Sequence, residues 1–301
     1  MKKTLVIGST VLDIIIQIDH LPKTSEDIHI KGQQMALGGC AYNAADIMRK
    51  FDVPYTLLSP IGTGRYASIV ESMLQEKGME SAVNLDTEDN GFCLCMVEKD
   101  GERTFVVHHG VEYRFQKEWV TEKMKAEHDS VYIAGLEIEE RDGLEIIEFI
   151  EENPEYQVYF APGPRLSKIG NEKLDRIFAR KPIIHLNEEE AMELGQATNY
   201  EEAAKAIHAI TNNTVIITLG KNGAYYYENG QGNLVKGEEA TVVDTIGAGD
   251  AHIGTIMASM ELGLTMGQAI ERANKVSAAV VSVQGSSLTE QQFSCLQLKK
   301  A

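Results

Sequence analysis

Cysteine is scarce in this chain: four in 301 residues, at Cys40, Cys93, Cys95 and Cys295, with no CxxC pair. That spacing offers neither a disulfide framework nor a zinc pattern, and leaves the four as small buried hydrophobes by default. Cys93 and Cys95, two apart, fall on one face of a strand. Positive charge is short too, with 28 Lys and Arg against 45 Asp and Glu, a formal net charge of −17. Such a surface repels phosphate backbones and anionic lipid heads, which argues against nucleic acid and membrane surface as main partners but not against a small anion held locally. Long apolar runs are lacking, and the opening MKKTLVIGSTVLD is broken by Gly8, Ser9 and Thr10 before Asp13, with no small-residue cleavage pattern. Neither a membrane span nor a secretory leader is indicated, and the expected compartment is the cytoplasm. A GxxxxGK[ST] loop is missing as well, so any phosphate grip is of another kind.

What is present is an ordinary globular composition, 43% hydrophobic and 24% charged. A chain of this length needs no disulfide or metal staple. With no repeat or long linker, residues 1–301 read as one main domain. Strands are expected at 4–7, 55–59, 131–134, 158–160, 183–186 and 215–219, and helices at about 41–51, 66–77, 143–151, 171–179, 188–195 and 201–211. This alternation predicts an α/β fold, a mainly parallel sheet with helices on both faces. A hairpin at 224–228 and 233–236 and helices near 248–261, 266–283 and 290–298 complete it. Short strands at 14–18, 28–34, 92–98 and 103–107, the last two joined by Asp100-Gly101, do not fit the alternation. They predict a small β-sheet lid built from segments of about 10–35 and 90–110.

The sharpest stretch is Asp244-Thr245-Ile246-Gly247-Ala248-Gly249-Asp250, between a β-like run at 240–243 and a long helix. Glycines let the backbone approach a ligand, and amides at a helix N-terminus make an anion site. A carboxylate beside that site repels phosphate, so Asp250 makes sense as acceptor of a proton from an attacking hydroxyl. The plain alternative is a helix cap with glycines in its entry loop.

This stretch, with Ala251 and Gly254 after it, resembles the C-terminal signature of the PfkB carbohydrate kinases, the ribokinase-like family. Gly38-Gly39-Cys40-Ala41-Tyr42-Asn43 resembles that family's GGxxxN motif, Asp13 its early sugar-binding aspartate, and Asp100-Gly101-Glu102-Arg103-Thr104 the turn of its β-lid. Asn187-Glu188-Glu189-Glu190 has the NxxE pattern, and Thr218-Leu219-Gly220 with Gly223 resembles the turn flanking the nucleotide. The matches run in order from residue 8 to about 287.

The resemblance implies a ribokinase-like fold and an ATP-dependent kinase acting on a hydroxyl of a small sugar. It makes Asp250 the catalytic base, with Gly247, Ala248 and Gly249 supplying amides to the phosphoryl group. It assigns Asp13, Gly38, Gly39 and Asn43 to the sugar, with Glu137 added, and Asn187, Thr218, Gly220, Gly223, Asn274 and Gly285 to ATP. Mg²⁺ is expected near Asn187 and Glu190, where an acidic helix start is the plain alternative, and K⁺ near Asp244, Ile246, Val280, Val283 and Gly285. A homodimer through the lid sheet is a further implication.

Several positions depart from that pattern. His252 stands where an aromatic is usual, Cys40 where a lysine is common, and Ala161-Pro162-Gly163-Pro164-Arg165 where an Asp or Asn precedes proline. Ile61-Gly62-Thr63-Gly64-Arg65-Tyr66-Ala67 replaces VGxDxxG and also satisfies GxGxxA, a weak dinucleotide fingerprint. These changes bear on the acceptor rather than the reaction. A free sugar and a nucleoside of the adenosine or pseudouridine type both stay open. Tyr42, Phe105 and Tyr113 would stack on a base, or pack the lid. A phosphosugar, with Arg103, Arg114 and Arg165 as candidate cations, ranks third. A ligand-binding sensor without catalysis is the reading from another class.

Overall fold

The structure is a computed structural model and describes residues 3–298. It opens with β1 (Lys3–Ile7), whose alternate residues enter different cores, Val6 on one side and Leu5 and Ile7 on the other. A strand covered on both faces is what a continuous apolar run predicts. β2 (Val11–Gln17) and β3 (Gly32–Gly38) leave this layer, then α1 (Cys40–Lys50), β4 (Tyr55–Leu58) and α2 (Arg65–Glu76) return to it. β5 (Phe92–Val97) and β6 (Arg103–His108) form the hairpin that Asp100-Gly101 signals, with Gly101 at φ +93°. The chain then alternates through α3 (Glu122–Glu127), β7 (His128–Ala134), α4 (Gly135–Glu139), α5 (Gly143–Glu152), β8 (Gln157–Ala161), α6 (Asn171–Ala179), β9 (Ile183–Asn187), α7 (Glu188–Gly195), α8 (Tyr200–Thr211) and β10 (Val215–Thr218). The hairpin β11 (Ala224–Glu228) and β12 (Gln231–Val235) precedes α9 (Ala248–Glu261), α10 (Met266–Val281) and α11 (Glu290–Cys295).

The main sheet has the order β12-β11-β10-β9-β8-β7-β1-β4, parallel from β10 to β4, with the β11–β12 hairpin antiparallel at one edge. Helices α1, α2, α9, α10 and α11 cover one face and α5 to α8 the other. A second sheet of four strands, order β3-β2-β5-β6, stands apart from it. Its register sets Asp13 beside Cys93, and Cys93 beside Val107, in one cross-strand row. No helix among the described residues is long and apolar enough to cross a membrane.

Some elements differ from the sequence expectation. The strand expected at 28–34 begins at Gly32 and runs to Gly38, because pairing with β2 fixes its extent and the local pattern does not. The β-like run 240–243 is no strand. It lacks a sheet neighbour, and the Val243 amide bonds instead to the Val281 carbonyl of α10 at 2.7 Å. Helices α3 and α4 were not expected, being too short to show a period.

Candidate active site

Gly38 and Gly39 are glycines because of what faces them. A Cβ on Gly38 would lie 2.3 Å from Asp13 Oδ2, and one on Gly39 2.4 Å from the Ser9 carbonyl. The end of β3 therefore sits directly against the Asp13 carboxylate. Burial raises the Asp13 pKa to about 6, and the Cys93 thiol beside it offsets part of that rise. Next to this pair, Ser9 donates its amide and its hydroxyl to Glu137 Oε1, both at 2.9 Å. Glu137, carried by the short α4, is 3% exposed, and its Oε2 has no hydrogen-bond partner among the described residues. Burial raises its pKa as well. A buried acceptor left open among polar groups is a place for a hydroxyl donor.

The N-terminus of α9 completes this side. Gly247, at φ +75°, lets the chain turn in against Ser286, whose Cβ would be 2.6 Å from any side chain there. The first amide bonded within the helix is that of Ala251, to the Gly247 carbonyl at 2.8 Å. The amides of Gly249 and Asp250 precede it and lie at the positive end of a 14-residue helix. The Asp250 carboxylate turns to α1 rather than to an amide of its own first turn: Asn43 Nδ2 donates to its Oδ2 at 2.9 Å, and the Cys40 thiol is a second partner. The cap alternative therefore does not describe it. Burial raises its pKa, opposed by Asn43 and Cys40.

On the other side of α9 lies a cavity of about 650 Å³ lined by Thr218, Gly220, Gly223, Ala248, Gly249 and Asn274, among others. Gly223, at φ +97°, admits only a glycine, since a Cβ would meet the Val235 carbonyl at 2.1 Å. Asn274 lines this wall with its amide already spent: Nδ2 donates to the carbonyls of Val235 and Lys236, and Oδ1 faces His252. Asn187, in register with Thr218, ends β9 and caps α7. Its Oδ1 accepts from the Glu190 amide at 2.8 Å, and Glu190 accepts from the Asn187 amide and Nδ2 at 3.0 and 2.8 Å. Burial raises the Glu190 pKa. These are hard oxygen donors, and the described residues hold no cluster of three or more ionisable metal ligands. The set fits Mg²⁺ held mainly by phosphates and water, and does not fit a protein-only cage.

Gly285 and Ile246 donate their amides to Asp244 at 2.9 and 3.1 Å, and Arg103 places its guanidinium across both Asp244 oxygens. Burial pushes the Asp244 pKa up, but Arg103 and the two amides outweigh it and hold the group below its ordinary value. A monovalent cation does not fit at this carboxylate, which already has a cation on it. Val280 and Val283 lie close by, the Val283 amide bonding to the Val280 carbonyl at 3.2 Å.

The decoys separate cleanly. Where GxGxxA suggests a phosphate, Asp89 caps the start of α2, accepting from the amides of Tyr66 and Ala67 at 3.2 and 2.8 Å. Tyr42 is wholly buried in the core and is no stacking platform. Tyr113 packs against the His109 ring, with centroids 4.1 Å apart. The three candidate cations are all paired: Arg103 with Asp244, Arg114 with Asp142, and Arg165 of the Ala161-to-Arg165 segment with Glu139. Sequence reasoning missed Ser9, the two thiol–carboxylate pairs and the Arg103–Asp244 pair. The spacing of Cys93 and Cys95 held part of that signal.

Comparison with known proteins bears on the family and the fold. The chain is 31% identical over 288 residues to YegV, an uncharacterized sugar kinase of Escherichia coli, covering 94% of this chain and 90% of that one. Its fold is similar to that of ribokinase from Thermotoga maritima, with a TM-score of 0.85, 20% identity and 99% of each chain covered. Arabidopsis thaliana ribokinase complexed with ribose and ATP superposes with a TM-score of 0.80, at 20% identity and 99% coverage of both chains. Residues 1–292 match the pfkB family of carbohydrate kinases, and the chain belongs to that family.

Proposed function

We propose that this PfkB-family phosphotransferase moves the γ-phosphoryl group of ATP to a hydroxyl of a small, uncharged sugar, with Asp250 as the base. The observation that carries this reading is the place of Asp250. It sits on the helix turn whose Ala248 and Gly249 line the cavity, yet its carboxylate turns to Asn43 and Cys40 on the side of Asp13 and Glu137.

In this scheme Asp13, Asn43 and the open Glu137 oxygen hold the acceptor hydroxyls. Asp250 takes the proton of the attacking hydroxyl as the oxygen bonds to phosphorus and the bond to ADP breaks. The leading amides of α9 face the charge that builds on the phosphoryl oxygens, which is where fixed dipoles act most strongly. Asn187 and Glu190 would hold Mg²⁺ through its water shell, and the ion would neutralise charge on the ATP phosphates when bound. The second sheet acts as the lid, excluding water so that ATP is not simply hydrolysed. Since Arg103, Arg114 and Arg165 are each paired with a carboxylate, a phosphorylated acceptor finds no partner among them. Unpaired thiols at Cys40 and Cys93, against the site's own carboxylates, suit a reducing compartment, which supports the cytoplasm.

A nucleoside acceptor is the second reading. It is favoured by Phe105, which is exposed on β6 opposite Cys95, on the Asp13 face of the lid. ADP release from Mg·ATP, read against free pentoses, hexoses, their phosphates and nucleosides, tests both, with Asp250→Asn run beside the wild type. Stimulation by a neutral sugar, abolished in the variant, is the expected result. Stimulation by a nucleoside alone would favour the second reading. No stimulation, with ligands still raising Tm, would favour a binding protein.

A further inference from the structure

His185, His252 and Asn274 form a buried chain that phosphoryl transfer as drawn above does not use. They stand on β9, α9 and α10 and are 5%, 2% and 7% exposed. His185 Nε2 lies 2.9 Å from His252 Nδ1, and His252 Nε2 lies 3.1 Å from Asn274 Oδ1. Asn274 Nδ2 reaches the carbonyls of Val235 and Lys236 at 3.2 and 3.0 Å.

The direction of each bond follows from the last pair. Carbonyls only accept, so the Asn274 atom facing them is its nitrogen, and its oxygen faces His252. His252 Nε2 therefore donates. Burial holds this ring neutral, pushing its pKa down to about 4, so its Nδ1 carries no proton and accepts from His185 Nε2. The result is a one-way run of donors from the main sheet to the point where the chain leaves β12.

This run meets the cavity at two places. His252 lines it, two residues beyond Asp250 and three beyond Gly249. Beyond Lys236 the chain becomes the segment whose Gly237, Ala240 and Val242 form the opposite wall. Helix α9 is buried at every residue from 251 to 259, mostly by close apolar packing, and the histidine bonds add a directional tie to it.

We propose, resting on the phosphotransferase reading of α9, that His252 is a positioning residue: through the chain from His185 to the Val235 and Lys236 carbonyls it fixes the first turns of α9 against the segment walling the nucleotide cavity. Both of its ring nitrogens are spent within this chain, so it has none left to bond a reactant. It acts through Asp250 and the leading amides, whose aim at the phosphoryl group depends on the rotation of the helix.

The test uses the full chain. His252→Phe fills the ring's space and cuts both bonds, while His252→Gln keeps an N–H for Asn274. The Phe variant is expected to stay folded and keep the acceptor KM within about twofold, yet to lose roughly 10- to 100-fold in kcat with a raised KM for ATP. The Gln variant should recover most of that loss. Wild-type kcat and ATP KM in the Phe variant would overturn the proposal, as would a Gln variant no better than Phe. ¹⁵N NMR of the wild-type histidines gives a readout independent of activity, with Nε2–H tautomers expected at both rings. An Nδ1–H tautomer at His252 would overturn the chain. If the wild type transfers no phosphoryl group to any acceptor, the kinase reading falls, and the tautomers together with ATP affinity still decide the relay.

Discussion

The guanidinium of Arg103 spans the Asp244 carboxylate, with one nitrogen 2.9 Å from Oδ1 and the other 2.8 Å from Oδ2. Arg103 opens β6 in the second sheet, and Asp244 opens the loop that leads to Asp250. One ion pair thus joins the second sheet to the loop that enters α9. A planar fork on a carboxylate is a strong, oriented contact, and it leaves no room for a second cation. Turnover should therefore stay within about twofold when K⁺ is replaced by Na⁺ or tetramethylammonium at constant ionic strength. Arg103→Met leaves Asp244 buried and unpaired and should lower turnover about tenfold or more. A tenfold stimulation of the wild type by K⁺ would contradict this.

Asp250→Asn keeps the shape of the side chain but removes the proposed base. The fold and ATP affinity should be retained, the latter within about threefold by calorimetry, while kcat falls roughly 10²-fold or more. Because burial raises the native Asp250 pKa, the charged form is the strained one in the folded protein. The neutral amide should therefore match or exceed wild-type Tm at pH 8. Near-normal turnover would remove Asp250 from the mechanism.

Much of this molecule is legible in the sequence, for identifiable reasons. Helix α6 and the strand β11 fall where the apolar pattern puts them, since each lies along one element with one buried side. The glycines at 38, 39, 223 and 247 are legible because backbone or carboxylate atoms occupy the space of a side chain. What the sequence hides is pairing at long range. Nothing local relates Arg103 to Asp244, 141 residues apart, or His185 to His252, 67 apart. Tyr42 misleads for the same reason, as its motif neighbours Gly39 and Asn43 face the site while the next step of the helix turns its ring into the core. The exposed valines at 242 and 243 read as a strand because β-branching favours one, but no edge is near enough to pair with them.

Asp13 gives the site a pH dependence with a definite sign. Its pKa is raised to about 6 from 3.8, chiefly by burial. In its proposed role as acceptor of sugar hydroxyl protons it would be competent when ionised, so acceptor KM should rise as pH falls through about 6, and Asp13→Asn should flatten that limb. Stability runs the other way. A raised acid binds its proton more tightly folded than unfolded, so folding loses stability as pH climbs between about 4 and 6, by a few kcal/mol at most. Asp13→Asn should therefore raise Tm at pH 8 and leave it nearly unchanged at pH 4. A wild-type acceptor KM constant from pH 5 to 8 would refute the assignment. Asp13→Ala should act mainly on acceptor KM and little on kcat, because the proposed scheme places it on the acceptor and not on the phosphoryl group.

Asp89 decides the last ambiguity of the sequence, the GxGxxA at residues 62–67. Its carboxylate closes the helix start that a dinucleotide phosphate would need, bonding the amides of Tyr66 and Ala67. Gly64, at φ +143°, is pressed against the same group, since a Cβ there would lie 2.3 Å from Asp89 Oδ2. The cap is structural, so Asp89→Ala should cost about 1 kcal/mol of stability by urea denaturation. The affinity for ATP and the acceptor KM should not change, because this helix end lines neither side of the candidate active site. NAD or NADP should leave the wild-type Tm unmoved at millimolar concentration. If either raised it, and Asp89→Ala abolished the rise, this helix end would be a nucleotide site after all.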